Sequence, residues 1–437
     1  MKISVIGCGY LGAVHAAAMA ELGHEVVGID VDSARIESLA AAIPPFFEPG
    51  LPEILASATA SGRLRFSTDI SEVADATVHF VAVGTPQQHG SHAADLRFVD
   101  AAFVALAPYL KPGDVVAGKS TVPVGTASRL SARLASTAPG AILTWNPEFL
   151  REGFAVTDTI SPDRLVYGVP GGDEGARAAG VLDEVYASAI EGGTPVVVTD
   201  YATAELVKVS ANAFLATKIS FINAMAEIAE VTGADVTALA DAIGYDARIG
   251  RRFLNAGVGF GGGCLPKDIR AFTARAEELG RGESLAFLKE VDQINLRRRQ
   301  RVIDLVVELL DGQVNGKRIA VLGLAFKPHS DDVRDSPALD VAVQLRGLGA
   351  KVVATDPQAV ANARRRHPQL RYTDDVLTAL DDADAVVLVT EWPEYKALDP
   401  VQVAGLVRGT VIVDGRNCLD AEQWRAAGWT YRGLGRR

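Results

Sequence analysis

The chain begins with an apolar run, a glycine-rich turn and a helical pattern. Residues 2–6 are mostly apolar, residues 7–12 read Gly-Cys-Gly-Tyr-Leu-Gly, and residues 13–22 have the composition of a helix. A second apolar run, 25–29, leads into Asp30. Strand, glycine turn, helix and strand in this order predict a βαβ unit with two parallel strands.

Further strand-like runs follow over residues 77–83, 114–117, 141–144 and 196–199, with helical stretches between several of them. This alternation predicts a mostly parallel, doubly wound sheet, which is the Rossmann-like α/β arrangement. We therefore predict a first domain over residues 1–200.

The pattern changes at Tyr201. From there to Val231 the chain contains neither proline nor glycine, and its apolar residues lie on more than one face of a helix. Such a helix needs more than one neighbour, so it is expected to join domains and to form a dimer interface. With a further helical region over 268–310, it predicts a helical central domain over residues 201–311.

The opening pattern returns after residue 317. Apolar runs at 319–322, 351–355, 385–390 and 410–413 predict a second Rossmann-like sheet in a third domain, residues 312–437. The glycine turn after its first strand reads Gly-Leu-Ala-Phe-Lys-Pro and lacks two glycines of the dinucleotide fingerprint. We therefore expect this sheet to hold a ligand other than NAD.

Composition narrows the class of protein. The net charge of −11 argues against nucleic acid or an anionic membrane as partner, and no run of about 20 apolar residues is present to span a bilayer. The three cysteines are too few for a disulfide framework, and the seven histidines form no metal-ligand pattern. We expect a cytoplasmic enzyme.

Gly7, Gly9 and Gly12 have the spacing of a dinucleotide turn, in which backbone approaches a pyrophosphate at a helix N-terminus. Asp30, 18 residues after Gly12, is placed to accept hydrogen bonds from the adenosine ribose, which favours NAD over NADP. Arg35 leaves an alternative open. It either accommodates a 2′-phosphate or is a solvated helix residue.

A second glycine-rich segment precedes Cys264. Residues 257–263 contain five glycines, and Pro266 suits the first turn of a helix. Cys264 would then lie at a helix N-terminus near Lys267, where positive potential favours the thiolate. We interpret Cys264 as a nucleophile, and Cys8 and Cys418 as small buried apolar residues.

Polar residues mark two more places. Lys208 and Asn212 are four residues apart at the head of an apolar stripe on the long helix, which indicates a polar site there. Glu148 and Glu152 follow a predicted strand at its carboxyl end, where open α/β sheets bind ligands.

These motifs together resemble the UDP-glucose/GDP-mannose dehydrogenase family, and the resemblance covers nearly the whole chain. The Gly-Phe-Gly-Gly-Gly-Cys-Leu-Pro-Lys-Asp run is the most specific of them. The segments that carry the resemblance are residues 7–12, 119–126, 146–153, 212–216, 259–268, 326–327 and 414–416.

The resemblance implies an NAD-binding domain, a helical dimerisation core and a UDP-binding domain. It implies NAD-dependent oxidation of UDP-glucose to UDP-glucuronate through a thiohemiacetal and a thioester, in a homodimer joined by the long helix. It leaves GDP-mannose, or another nucleotide sugar, as an alternative substrate.

The resemblance also implies residue roles. Cys264 would be the nucleophile, and Lys208 and Asn212 would stabilise an oxyanion. Thr121 and Asp268 would hold a catalytic water that Glu148 activates. The implied cofactor contacts are Gly7, Gly9, Tyr10, Leu11, Gly12, Asp30, Arg35, Thr85, Thr121, Glu152 and Arg334. The implied substrate contacts are Glu148, Phe149, Leu150, Glu152, Lys208, Asn212, Arg248 (reaching across the dimer), Phe253, Asn255, Gly261, Lys327 and Arg416.

Two other functions compete with this hypothesis. A single-step hydroxy-acid dehydrogenase also follows a Rossmann domain with a long helix, but it leaves Cys264 and the second sheet without a role. A catalytically silent sugar-nucleotide sensor would keep both sheets and need no nucleophile.

Overall fold

The computed structural model describes residues 1–436, and its first sheet is built from the N-terminal part of the chain. The strands are β1 (Lys2–Ile6), β2 (Glu25–Ile29), β3 (Leu64–Ser67), β4 (Val78–Val81), β5 (Val115–Gly118), β6 (Ile142–Trp145), β7 (Leu165–Gly168) and β8 (Val196–Thr199). The helices are α1 (Tyr10–Glu21), α2 (Ser33–Ala40), α3 (Leu51–Ala60), α4 (Arg97–Leu106), α5 (Thr126–Thr137), α6 (Ala155–Ile160), α7 (Gly172–Val185) and α8 (Ala187–Glu191).

The eight strands lie in the order β3-β2-β1-β4-β5-β6-β7-β8. Apolar residues on successive positions of β1, such as Val5 and Ile6, belong to two different buried clusters, because neighbouring side chains of a strand point to opposite faces. Both faces are therefore covered, as in a doubly wound sheet.

The predicted strands are confirmed, with ends that differ by one or two residues. Strands β3 and β7 had not been predicted, and β7 pairs with β6 in the antiparallel direction through Trp145 and Gly168. The sheet is therefore parallel except at this one pairing.

Four helices form the middle of the chain: α9 (Tyr201–Thr232), α10 (Val236–Gly244), α11 (Leu265–Glu278) and α12 (Ala286–Leu309). The long helix α9 is confirmed, with apolar residues both buried and exposed. The helical region predicted over 268–310 consists of two helices, because a 3-10 turn at Gly282–Leu285 separates α11 from α12.

The second sheet has six strands, all paired in parallel. They are β9 (Arg318–Leu322), β10 (Lys351–Thr355), β11 (Arg371–Tyr372), β12 (Ala385–Leu388), β13 (Val411–Asp414) and β14 (Thr430–Gly433), in the order β11-β10-β9-β12-β13-β14. Its helices are α13 (Pro337–Gly347), α14 (Val360–Arg366), α15 (Val376–Leu380), α16 (Pro393–Lys396), α17 (Pro400–Ala404) and α18 (Ala421–Ala426).

Two Rossmann-like sheets and a long central helix confirm the predicted fold class. Contacts divide the chain into an N-terminal unit, Met1–Ala211, and a C-terminal unit that begins at Asn212. The three domains bounded at residues 200 and 311 stay a prediction. Over residues 1–436, no helix is long and apolar enough to cross a membrane.

Candidate active site

The glycine turn after β1 is built as the sequence predicts. Gly7 has φ +91°, and a Cβ added to Gly12 would lie 1.8 Å from the carbonyl oxygen of Gly7. Gly9 differs from both, since a Cβ there would meet nothing within 4 Å. Gly7 and Gly12 are therefore needed by the turn itself, whereas the space beside Gly9, before the N-terminus of α1, is open.

Asp30 follows β2 and is 8% exposed. Its carboxylate accepts hydrogen bonds from the backbone N–H of Cys8 (2.8 Å) and of Asp32 (3.0 Å). The guanidinium of Arg35 lies 2.9 Å from Asp30, so Arg35 is not a purely solvated residue, and its contact with the cofactor stays a prediction. The ion pair fixes the carboxylate beside the turn and offsets part of its charge.

Glu48, which sequence reasoning missed, joins the glycine turn to the loop of Glu152. The hydroxyl of Tyr10 donates to Glu48, whose carboxylate also accepts from the backbone N–H of Gly153 (2.6 Å) and of Ala155 (2.7 Å). Burial, followed by this hydrogen bond, raises the pKa of Tyr10, so the hydroxyl stays a donor. Glu152 is buried, and Leu11 packs on the neighbouring apolar cluster.

The loops after β4 and β5 are tied together. Thr85 donates from its hydroxyl to the carbonyl of Thr121 at 2.8 Å. Glu205, another residue that the sequence did not single out, lies on α9 and accepts from the backbone N–H of Gly125 (2.8 Å) and of Ala127 (2.7 Å). These bonds anchor the loop of Thr121 to the long helix, about one turn before Lys208.

Glu148 follows β6 and is 9% exposed. One carboxylate oxygen accepts from the backbone N–H of Phe149 (2.8 Å) and of Leu150 (3.0 Å), and the other lies 2.9 Å from the ammonium of Lys119. The ammonium of Lys208 lies 5.4 Å from the centre of the Phe149 ring. The structure thus brings Lys208 to the loop of Glu148.

In the C-terminal unit, Cys264 is exposed and stands at the N-cap of α11, with a proline in the first turn as predicted. The other thiols differ in setting. Burial raises the pKa of Cys8 and of Cys418, which keeps both protonated at neutral pH. Cys8 is fully buried as predicted, whereas Cys418 is half-buried.

Asn212 and Asp268 meet, although 56 positions separate them. The side-chain amide of Asn212 donates to Asp268 at 2.7 Å, and the ammonium of Lys267 lies 2.6 Å from the other carboxylate oxygen. Asp268 is 2% exposed and its backbone N–H donates to the carbonyl of Cys264 at 2.9 Å. The first turn of α11 therefore gathers a thiol, a carboxylate and an amide.

The glycines before Cys264 allow close packing on the segment after β9. An added Cβ would lie 2.3 Å from the carbonyl of Asp335 at Gly261, and 2.4 Å from the guanidinium of Arg334 at Gly263. Asn295, which was not predicted, exchanges two hydrogen bonds with the backbone of Phe260, at 2.7 and 2.9 Å. The cysteine loop, residues 257–263, is thus contacted both by the segment after β9 and by α12.

Arg416 donates to three backbone carbonyls, those of Val389 (2.9 Å), Gly259 (2.8 Å) and Phe326 (3.0 Å). The residue predicted to contact substrate therefore also links the cysteine loop to the second sheet. Lys327 lies over the Phe326 ring at 5.3 Å.

The remaining predicted substrate residues lie in the segment after α10. Arg248 has an 89% exposed side chain and pairs with Asp246. Asn255 accepts from Arg251 at 2.7 Å, and Phe253 has φ +65°. None of these contacts joins Arg248 to another predicted site residue.

Asp356 occupies in the second sheet the position that Asp30 has in the first, directly after the second strand. It accepts from five donors at 2.8 to 3.1 Å: the backbone N–H groups of Leu324, Ala325, Gln358 and Ala359, and the indole of Trp392. A carboxylate offers about four lone-pair positions, so Asp356 has none to spare for a ribose.

Comparison with known proteins agrees with this architecture. Models of the UDP-glucose/GDP-mannose dehydrogenase family match residues 1–190 (NAD binding domain), 202–297 (central domain) and 320–421 (UDP binding domain).

Two relatives match over the full chain. The UDP-glucose 6-dehydrogenase of Rhizobium meliloti is 42% identical, covering 100% of both chains. UDP-glucose 6-dehydrogenase TuaD of Bacillus subtilis is 41% identical, covering 100% of this chain and 93% of the relative.

A solved structure matches as well. The UDP-glucose dehydrogenase of Pyrobaculum islandicum superimposes with a TM-score of 0.90 at 40% identity, covering 100% of this chain and 98% of the other. The chain is therefore an NAD-dependent dehydrogenase that belongs to the UDP-glucose/GDP-mannose dehydrogenase family.

Proposed function

We propose that the protein oxidises the C6 alcohol of UDP-glucose to the carboxylate of UDP-glucuronate, using two NAD and one water. The observation that carries the proposal is the exposed Cys264 at the N-terminus of α11, where Asp268 in the first turn accepts a hydrogen bond from Asn212 of α9. The names of relatives about 40% identical over the whole chain support the same substrate.

The first sheet supplies a fitting site for NAD. Gly9 leaves room for the pyrophosphate before α1, and Asp30 stands at the end of β2 for the ribose. The contacts proposed from the sequence, from Gly7 to Arg334, retain that role here. When bound, NAD accepts one hydride in each of the two oxidations.

The chain's own residues account for the remaining steps. The alcohol loses a proton and a hydride to give an aldehyde, and the thiolate of Cys264 forms a C–S bond at its carbonyl carbon. The new oxyanion is stabilised by the amide of Asn212 and the ammonium of Lys208 one helical turn away. Loss of a second hydride from this oxyanion gives a thioester.

Hydrolysis completes the reaction. Water held by Thr121 and Asp268 gives a proton to Glu148 as its oxygen bonds to the thioester carbon, the C–S bond breaks, and Cys264 leaves as thiolate. The sum is one alcohol, two NAD⁺ and one water converted into one carboxylate, two NADH and three protons. Two NADH for each UDP-glucuronate, with no free aldehyde, is the stoichiometry to measure.

A substrate panel tests the proposal directly. NADH formation is compared for UDP-glucose, UDP-galactose, UDP-N-acetylmannosamine, UDP-xylose and GDP-mannose, and UDP-glucose is expected to lead. A pocket whose polar groups fit uracil would leave several of those groups without hydrogen-bond partners when guanine is bound. Such unpaired groups can lower kcat/KM for GDP-mannose by orders of magnitude relative to UDP-glucose. UDP-xylose, which lacks the C6 alcohol, should inhibit without being oxidised. A higher kcat/KM for GDP-mannose would be consistent with the proposed reaction but would contradict UDP-glucose as the substrate. Binding of UDP-glucose without any formation of NADH would indicate a sensor.

NAD should be preferred over NADP, and Asp30→Ala should narrow the ratio of their kcat/KM values. The carboxylate repels a 2′-phosphate, whereas the paired Arg35 attracts one once its partner is gone. Arg35→Ala is the matched variant, because it should widen the ratio by leaving Asp30 without its neutralising partner. A wild-type preference for NADP would contradict the role given to Asp30.

We further propose that two copies of the chain pair through α9. Phe214, Phe221 and Ile228 recur every seven residues and are 48–66% exposed, and Val231 is 79% exposed. Residues seven apart lie on one side of a helix, so these side chains form a continuous apolar stripe. A second copy of the same stripe would bury it in a symmetric interface.

The substitution Phe221→Glu should convert the dimer to a monomer of 46.0 kDa. A charge at the centre of an apolar interface is desolvated without a partner, which weakens association by orders of magnitude. Light scattering after size-exclusion chromatography measures the mass. The control Phe98→Glu changes a similarly exposed phenylalanine on α4 and should leave the mass unchanged. If Phe221→Glu also leaves the mass unchanged, the dimer interface does not include this stripe.

A further inference from the structure

Lys119 is a buried cation directly after β5. Its side chain is 3% exposed, and its ammonium lies 2.9 Å from the Glu148 carboxylate. The ammonium also approaches the side-chain oxygen of Asn146 at 3.1 Å and the hydroxyl of Tyr186 at 3.2 Å. The aromatic rings of Phe80 and Tyr186 lie 5.9 and 5.7 Å away.

Glu148 is the one carboxylate that pairs with Lys119 in the part of the chain that the structure describes. The hydroxyl of Tyr186 donates to Asn146 at 2.7 Å, and burial raises the pKa of Tyr186, so this phenol carries no charge. A buried ammonium needs an opposite charge, since neutral hydrogen bonds alone offset only part of its desolvation. Lys119 and Glu148 therefore depend on each other.

The pair also fixes backbone. The N–H of Glu148 donates to the carbonyl of Lys119 at 3.3 Å, so the two residues are joined through both side chains and main chain. Lys119 begins the loop that carries Thr121, two residues later. In this unit, the proposed function assigns two residues to the hydrolytic water: Thr121 holds it, and Glu148 takes its proton. Lys119 connects these two residues.

We propose that Lys119 is a positioning residue for thioester hydrolysis, which holds the Glu148 carboxylate in the orientation from which it takes the proton of water. The inference rests on the proposed function, and specifically on Glu148 as the base. It gives Lys119 no contact with substrate or cofactor. A lysine that only stabilises the end of β5 would affect folding, and its replacement would leave the rate of thioester hydrolysis in the folded enzyme unchanged.

The test compares Lys119→Met, Glu148→Gln and the double variant with the wild type. Methionine keeps the length and apolar stem of the lysine and removes its charge. The Lys119→Met enzyme should release two NADH for each Cys264 in a rapid burst and then turn over about 100-fold more slowly, a loss typical of a disabled general base. Intact-protein mass spectrometry should show the thioester on Cys264, while kcat/KM for UDP-glucose, which reports only the steps before hydrolysis, changes by no more than about threefold.

The double variant separates positioning from an independent effect. Because Lys119 acts through Glu148, the double variant should turn over at the rate of Glu148→Gln alone, so the two losses do not multiply. It also contains no unpaired buried charge, so it remains measurable if Lys119→Met fails to fold. Lys111→Met removes an exposed lysine from the same unit and should match the wild type.

Each contrary outcome has a distinct meaning. Hydrolysis of the thioester at the wild-type rate by Lys119→Met overturns the inference, as does a double variant slower than Glu148→Gln by the full Lys119→Met factor. Both leave the proposed function standing. A fully active Glu148→Gln enzyme without adduct removes Glu148 from the mechanism, and the inference about Lys119 falls with it.

Discussion

Cys264→Ser is expected to abolish formation of the carboxylate while leaving the binding of UDP-glucose nearly unchanged. A serine hydroxyl has a far higher pKa than a thiol and provides no good leaving group for hydrolysis, so both the formation and the breakdown of the covalent intermediate are lost. The expected fall in kcat is at least about 10⁴-fold, as for other enzymes that lose their nucleophile. NADH absorbance measures the rate, and calorimetry measures the binding of UDP-glucose.

Cys418→Ser is the matched control. That thiol is half-buried and burial raises its pKa, so it stays protonated and should be dispensable. Turnover by Cys264→Ser at the wild-type rate would remove Cys264 from the mechanism and with it the proposed pair of covalent intermediates.

Glu148→Gln should arrest the enzyme after both hydride transfers. Glutamine has nearly the same shape as glutamate but cannot accept the proton of the attacking water, so steady-state turnover should fall by about 10²- to 10⁴-fold. Two NADH should form rapidly for each Cys264, and intact-protein mass spectrometry should then find the thioester. The exposed Glu53 offers the control Glu53→Gln, which should accumulate no adduct.

The same substitution has a second expected effect, on stability. It leaves the ammonium of Lys119 buried without its counter-charge, and breaking one side of a buried pair costs about 3–5 kcal/mol. The variant should therefore unfold at a lower temperature than the wild type. Its kinetics should be measured well below that unfolding temperature. A variant that is as stable and as active as the wild type would contradict both roles of Glu148.

The sequence predicted those parts of the site that depend on neighbouring residues. The glycine turn, Asp30 and the helix that begins after Cys264 follow from short patterns, because each spacing has one favourable backbone geometry. Two of the missed strands show no clear strand pattern, since β11 has only two residues and β3 contains the charged Arg65. A short or partly polar strand has too few positions to show a period of two.

The supporting residues could not be predicted in the same way. Lys119, Glu205 and Asn295 bond to groups 27 to 80 positions away, so their roles depend on which loops the completed sheet and helices bring together. Lys119 had been noted only as part of a motif. The buried ion pair with Glu148 gives that lysine a role that its neighbours in sequence do not reveal.

Asp30 and Asp356 show how a repeated framework diverges. Each follows the second strand of its sheet beside a glycine of positive φ, Gly7 or Gly323, whose N–H donates to the residue before the aspartate. Three donors occupy Asp30 and five occupy Asp356. At the same backbone position, the first sheet has the carboxylate that we propose as the ribose ligand, whereas the second has a carboxylate whose lone pairs are all taken by donors of the protein. An attempt to engineer ribose binding into the second sheet would therefore start by removing donors, with the indole of Trp392 first, rather than by adding an acid.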